Sequence, residues 1–437
     1  MSKVTLINHS SLLIQLDEHY FLTDPWVKSP AFGSWLPSAP PIYNVSYLAA
    51  LSFQKNFSLV ISHAHDDHID DEILEHYFNK EARVIISKFS SPSLRKRLNR
   101  IGFYNLIELN DDINTADGFE YMQVFDATIS NDDAGIAIRN NEYCVYHGND
   151  NWFKLSVFNE KKLKLFAKDR KFLFASQTNS ASGHPLSYPQ FENEKNILTE
   201  KVKKMLVEGL LNAQKVKADY FLPYAGYATP FVKGMDYEKQ SFSPTYANLS
   251  KLLGENNNLM VNLFCGGTIN LYNGEISYPF NYEPNRVLEI TNNYLIREKI
   301  VDKCDSFNES NDTLIVESDI KNYLLEFNDF VNSYLNRSPN FYKSILSKSL
   351  RIIVENKQEE QIELCIEIGS GNLLNQNSAN KTFVIKDFLF EKVLNKKIPF
   401  ENLYTGYQAK VYREPKNIYN RDIIMYLDMF GYKYMNS

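Results

Sequence analysis

Cysteine is scarce in this chain: four in 437 residues, at Cys144, Cys265, Cys304 and Cys365. None stands in a C-x-x-C pair, which argues against a disulfide framework or a cysteine zinc site; the usage is that of thiols in a reducing cytosol. No apolar run reaches the roughly 18 residues that a membrane-spanning helix needs. The start, Met1-Ser2-Lys3-Val4-Thr5-Leu6-Ile7, lacks the apolar core of a signal peptide, so a cytoplasmic protein is expected. Neither sign of charge dominates. Lys and Arg number 47 against 53 Asp and Glu, a net charge of −6, which removes any bulk pull toward nucleic acid or an anionic membrane. The expected partner is a small molecule held by local groups; a homo-oligomer is left open. Internal repeats and low-complexity tails are also missing. Hydrophobic residues (44%) and aromatics (14%) are plentiful, enough for the cores of two or three domains at this length.

Short strands are expected at Val4–Ile7, Ser11–Leu16 and Tyr20–Leu22, the last stopped by Asp24-Pro25. A Pro-, Ser- and Trp-rich loop follows over Trp26–Pro41. Strands are then expected at Asn56–Ile61, Arg83–Ser87, Phe119–Phe125, Gly135–Arg139, Glu142–Tyr146, Lys171–Ala175 and Tyr220–Leu222, with helices at Asp70–Phe78, Ser91–Arg100 and Asn196–Ala213. This order predicts an α/β fold, an αβ/βα four-layer sandwich with two sheets inside and helices outside. Past about Tyr272 the texture changes, and an additional C-terminal α+β domain is expected. The boundaries are 1–275 and 276–437.

The residues that carry chemistry stand together in Ser62-His63-Ala64-His65-Asp66-Asp67-His68. An apolar strand runs straight into this turn, so three imidazoles and a carboxylate meet in one small volume. Groups packed so closely are costly unless a cation neutralises them, and imidazole with carboxylate suits zinc, iron or manganese. Asp150, at the end of Tyr143-Cys144-Val145-Tyr146-His147-Gly148-Asn149-Asp150, is the candidate carboxylate to bridge two metals; a plain turn-forming Asp is the alternative. His147 and His184 (in Ser180-Ala181-Ser182-Gly183-His184-Pro185) are further candidate ligands, each equally suited to a supporting role. Asp126 ends a strand and could approach the metals. Asp24 could orient a metal-bound His or simply stop its strand. Asp132 and Asp133 read as solvated, and His9, His19 and His76 as structural or surface residues, His9 least securely. Arg95, Lys96, Arg97 and Arg100 read as a solvated helix face before an anion receptor. Trp26, Phe32, Trp35, Tyr224 and Tyr227 read as core before cleft.

The H-x-H-x-D-H pattern resembles the signature of the metallo-β-lactamase superfamily. A narrower likeness is to the metallo-β-lactamase-fold part of the sialic-acid hydroxylases that act on CMP-N-acetylneuraminic acid. It is carried by Asp24-Pro25-Trp26, Pro30-Ala31-Phe32, Trp35, Pro40-Pro41, the His motif, Ser180–Pro185, Pro223-Tyr224-Ala225-Gly226-Tyr227 and Leu403-Tyr404-Thr405-Gly406-Tyr407-Gln408, with Arg413, Pro415 and Tyr419 beyond. The resemblance implies that His63 and His65 hold one divalent ion and Asp67 with His68 a second. Two departures stand out. Ile129 falls where the family has its third His. The hydroxylases' Rieske domain needs a C-x-H and a C-x-x-H pair; here Cys144 and His147 make a lone C-x-x-H inside the hydrolase-type core.

Three functions compete. The first is a metal-dependent hydrolase of an anionic or sugar-like ester, lactone, amide or phosphoester, with zinc as the first choice of metal. Its metal-bound hydroxide would be held by Asp150, with Asp67 or His184 assisting proton transfer. The second is a di-iron oxygenase served by a separate reductase. The third is a sugar or nucleotide binder without catalysis.

Overall fold

The computed structural model describes residues 2–435 apart from 90, 126–132, 151–153, 179–190, 235–257, 280–283, 310–313, 339–340 and 376–378. Two sheets form the larger part. The first has eight strands, in spatial order Ile276–Ser277, Thr268–Asn270, Lys3–Asn8, Ser11–Leu16, His19–Thr23, Phe57–Ile61, Arg83–Ser87 and Leu106–Leu109. The second has six: Tyr220–Tyr224, Lys171–Gln177, Tyr143–His147, Gly135–Arg139, Phe119–Val124 and Asn114–Ala116. Each is antiparallel in one part and parallel in the other, where helices or long connections carry the crossovers.

Side-chain alternation explains the layering. Along Phe57–Ile61 every residue is buried, as expected of a strand covered on both faces. Val60 points into the core between the sheets. Leu59 and Ile61 point the other way, into a second core shared with Leu48 and Leu51 of the helix Val45–Ser52, Ile73 and Leu74 of Asp71–His76, and Leu94 and Leu98 of Ser93–Arg100. The opposite sheet repeats the arrangement. Val145 faces inward, while Cys144 and Tyr146 pack outward against Leu163 and Phe166 of the helix Val157–Phe166 and Leu206 and Leu210 of Phe191–Lys215. Helix, sheet, sheet, helix is the αβ/βα order the sequence predicts.

A fourth core belongs to the C-terminal part. A four-stranded sheet, Gln361–Glu367, Ser349–Glu355, Lys381–Lys386 and Ala409–Arg413, packs against the helices Glu317–Arg337, Asp387–Leu394, Glu401–Thr405 and Arg421–Met435. Residues 276–277 extend the first sheet, Val287 enters the inter-sheet core, and Leu295, Ile300, Val301 and Cys304 pack on Leu36 and Phe231. The first layered unit therefore reaches past residue 275, and the new core begins near Ile315. The two parts are fastened through the Pro-rich loop. Trp35 Nε1 donates to Thr405 O at 3.0 Å, Ser34 Oγ donates to Gly406 O, and the Trp35 and Tyr407 rings stack at 5.9 Å. Trp26, Phe32, Trp35, Tyr224 and Tyr227 are all buried, so the aromatics of that region are core, as the sequence suggested first.

Candidate metal centre

The centre lies at the C-terminal ends of Phe57–Ile61 and Tyr143–His147, strands of opposite sheets, so the turns that follow face each other. After Ile61 the chain leaves the sheet, and His63, Asp67 and His68 are buried while His65 keeps some exposure. Arg97 clamps this turn. Its guanidinium reaches Asp66 at 3.0 Å and Asp71 at 2.8 Å and donates to the carbonyls of Ala64 and Ile69. Arg97 is thus committed to shaping the turn; it is neither a solvated face nor an anion receptor. Asp70 caps the next helix through Ile73 N and also accepts from the backbone N–H groups of Lys28 and Ser29, at 2.9 and 2.8 Å, which fastens the Pro-rich loop.

Two ligand-type groups result. In one, a ring nitrogen of His63, one of His65 and an Asp150 carboxylate oxygen lie within 4.8 Å of one another; in the other, single atoms of His9, Asp67 and His68 do. Asp150 spans both: Oδ2 is 3.8 Å from His63 Nε2 and Oδ1 is 3.6 Å from His68 Nε2. Asp67 Oδ2 is 3.7 Å from the same His68 nitrogen. Among the described residues, His68 Nε2, Asp67 Oδ1 and Asp150 Oδ1 are buried and have no hydrogen-bond partner. Orphaned polar atoms converging on one volume are costly in a folded protein, and a divalent ion accepted by imidazole and carboxylate would relieve that cost. The residues present therefore fit a metal pair.

The electrostatics agree. Burial alone would lower the His68 pKa, but Asp67, Asp150 and Asp24 outweigh it and push it up to about 10. A proton on His68 is the charge that offsets these carboxylates, and a metal cation can take its place. His63 goes the other way: burial, then His68 and His65, hold it well below the ordinary imidazole value. Burial raises the Asp150 carboxyl, opposed by His68. Burial would also raise Asp67, yet His68 and His9 bring it below the usual carboxylate range.

Asp24 supports the candidate ligands from behind. It is completely buried and accepts from Ser62 N (2.8 Å), Ser62 Oγ (2.7 Å), His68 Nδ1 (2.9 Å) and His147 Nε2 (2.8 Å). The bond to His68 Nδ1 turns Nε2 toward the centre. Burial would raise the Asp24 carboxyl, but His147 and His68 hold it well below its ordinary range. His147, expected as a candidate ligand, has Nε2 on Asp24 and Nδ1 on the Tyr224 hydroxyl at 2.8 Å. Both its nitrogens are taken, so it has no lone pair to offer a metal.

Two residues that sequence reasoning set aside belong here. His9 stands in the turn between Lys3–Asn8 and Ser11–Leu16, 3.2 Å from Asp67. Its Nδ1 accepts from Gly226 N–H at 2.9 Å, so in the neutral ring the proton sits on Nε2 and points at Asp67. That proton leaves Nε2 no lone pair for a metal, so His9 faces the candidate ligand Asp67 without being a ligand itself. Asp133, expected to be solvated, is buried, accepts from Asn149 Nδ2 at 2.6 Å and lies 3.9 Å from His63 Nδ1. Burial, with Asp150 nearby, pushes its carboxyl well up. His9, Asp24, Asn149 and Ala225 all have left-handed φ, at 35°, 38°, 51° and 69°; strained backbone concentrates around the centre. The C-terminal part reaches the rim through Glu401, whose carboxyl is pushed up by burial, opposed by His65, and hydrogen-bonded to Tyr432. His184, Asp126, Ile129 and Asp132 lie outside the described residues.

Comparison with known proteins adds context. No protein-family model matches the chain. Over 111 residues it is 35% identical to a Mycolicibacterium smegmatis protein named for a Rieske 2Fe-2S iron–sulfur centre, covering 25% of this chain and 21% of that one. It is similar, at 26% identity over 246 residues, to cytidine monophosphate-N-acetylneuraminic acid hydroxylase of Asterias rubens, covering 52% of this chain and 34% of the relative. The chain thus spans a fifth to a third of the length of these curated relatives. Among solved structures, one of a possible metal-dependent hydrolase from Veillonella parvula is 16% identical with a TM-score of 0.41, covering 62% of this chain and 99% of that one.

Proposed function

We propose that this chain is a metal-dependent hydrolase with a dinuclear centre. The observation that carries the reading is Asp150, whose two oxygens each stand within 4 Å of an imidazole nitrogen from a different ligand group. His63, His65 and Asp150 would hold one ion, and Asp67, His68 and Asp150 the other. Divalent ions bound there supply a water of lowered pKa and polarise a carbonyl or phosphoryl oxygen. The chain's own residues do the rest. Asp24 keeps His68 in the tautomer with Nε2 forward, His9 holds Nε2 3.2 Å from Asp67, and Asp150, with 26% exposure, borders the solvent side of the centre. His184 remains a candidate for proton transfer.

One observation favours a second reading. The likeness to the sialic-acid hydroxylase extends over half the chain, and the same donor set suits iron. A hydroxylase would draw electrons from a separate protein or domain. Metal analysis of protein purified without chelator or added metal tests both. Two zinc ions per chain support hydrolysis, and turnover would then need no reductant. Two irons, with turnover that stops without oxygen and a reductant, support the hydroxylase. Absence of metal after reconstitution with zinc and with iron overturns both.

A further inference from the structure

The hydrogen bonds behind the centre have fixed directions, because they start from a group that can only donate. Asn149 N–H donates to the Tyr224 hydroxyl oxygen at 2.6 Å. Tyr224 is fully buried, so its own proton needs an acceptor, and His147 Nδ1 at 2.8 Å is the acceptor within reach among the described residues. A phenol that donates requires an Nδ1 without a proton. The His147 proton then sits on Nε2 and is donated to Asp24 Oδ2 at 2.8 Å. Asp24 in turn holds His68 Nδ1 at 2.9 Å, and it receives Ser62 Oγ, which lies 3.0 Å from His63 Nδ1.

We propose that Tyr224 is a positioning residue of the metal centre: its hydroxyl fixes the tautomer of His147 and pins the turn that carries Asp150, so that His68 and Asp150 are aligned by one group. Its two arms are separate. One runs through His147 and Asp24 to His68. The other is the single bond to Asn149 N–H, next to Asp150, where the chain takes its left-handed turn. Tyr224 ends Tyr220–Tyr224, whose parallel pairing with Lys171–Gln177 holds the ring in place, and the phenol keeps its proton because burial, with Asp24 nearby, raises its pKa well above the ordinary value. The inference rests on the dinuclear reading for its purpose, although the tautomer itself does not depend on metal.

The test uses the full chain labelled with ¹⁵N-histidine and stripped of metal. Imidazole nitrogen shifts, with His147 assigned by its loss in His147→Gln, should report the Nε2–H tautomer in the wild type and a gain of the Nδ1–H form in Tyr224→Phe. Zinc affinity, read by competition with a chromophoric chelator, should fall about 10–100-fold in Tyr224→Phe, the usual effect of losing an outer partner of a metal site. Tyr121→Phe removes another buried hydroxyl from the same inter-sheet core, one without a hydrogen-bond partner among the described residues, and should leave both readings unchanged. An Nδ1–H tautomer in the wild type overturns the proposal, and that measurement needs no variant to fold. So does an unchanged tautomer, or an unchanged zinc affinity, in folded Tyr224→Phe. Failure of the wild type to bind zinc or iron would instead overturn the dinuclear reading and leave the tautomer result to decide this one.

Discussion

Asp24→Asn is the substitution whose cost follows most directly from the geometry. The carboxylate accepts four hydrogen bonds at 2.7–2.9 Å, two of them from imidazoles, with no exposure to water. An amide has one acceptor oxygen and one NH₂. Its oxygen is best used at the Oδ2 position, which faces His68, His147 and Ser62 Oγ. The NH₂ then meets the Ser62 backbone N–H, donor against donor. Stranding that buried donor costs about 1–3 kcal/mol, and each imidazole bond loses roughly 1 kcal/mol when its acceptor is no longer charged. The sum is about 3–5 kcal/mol. Urea unfolding of metal-free protein should show a lower midpoint with the same slope, since the buried surface does not change. Zinc affinity should fall as well, because His68 loses the partner that orients it. A loss below about 1 kcal/mol in a folded variant with wild-type zinc affinity would refute the reasoning, since it would mean that Asp24 neither pays for its burial through these four bonds nor positions His68.

His68→Ala should lower metal content measured by elemental analysis, while His76→Ala, on the exposed last turn of the helix Asp71–His76, should not; equal loss in both would remove the site assignment. His9→Gln should retain the metal stoichiometry, because Nε2 of His9 carries a proton toward Asp67 instead of a lone pair toward a metal; loss of one ion per chain would show His9 to be a ligand. His19 gives a pH effect away from the centre. Burial, with Arg83 beside it, lowers its pKa from 6.5 to about 4, and its ring bonds Ser58 Oγ at 3.1 Å. The unfolded chain therefore takes up a proton more readily as pH falls. The stability is present above pH 6.5 and is lost between about 6.5 and 4, roughly 1–2 kcal/mol after discounting for solvent screening. His19→Gln should flatten that part of the stability–pH curve measured by urea unfolding, and an unchanged slope would count against it.

What could be read from the sequence, and what could not, divides by distance along the chain. His63, His65, Asp67 and His68 were legible because one turn carries them all, directly after a strand of five buried residues. Asp150 was legible because Tyr143–His147 breaks into a Gly-Asn turn. The layers followed from strand-length apolar runs, whereas the helix Val157–Phe166, with Lys161, Lys162 and Lys164 on it, was not among the expected helices; only Leu163 and Phe166 on it cover the second sheet. His9 was hidden because its role depends on Gly226, which follows it by 217 residues, and Tyr224 because its partners His147 and Asn149 lie more than 70 residues before it. One local signal did exist for His9. Asn8-His9-Ser10-Ser11 places four polar residues between two apolar strands, and all four are buried. Buried polar groups must find partners, and these do so at the centre: Asn8 Nδ2 donates to Trp26 O, Ser10 Oγ lies 3.0 Å from His68 Nδ1, and Ser11 Oγ donates to Asp24 O. A polar run too short for a loop between two strands is therefore a signal that the turn faces a polar interior, and here that interior is the candidate metal centre.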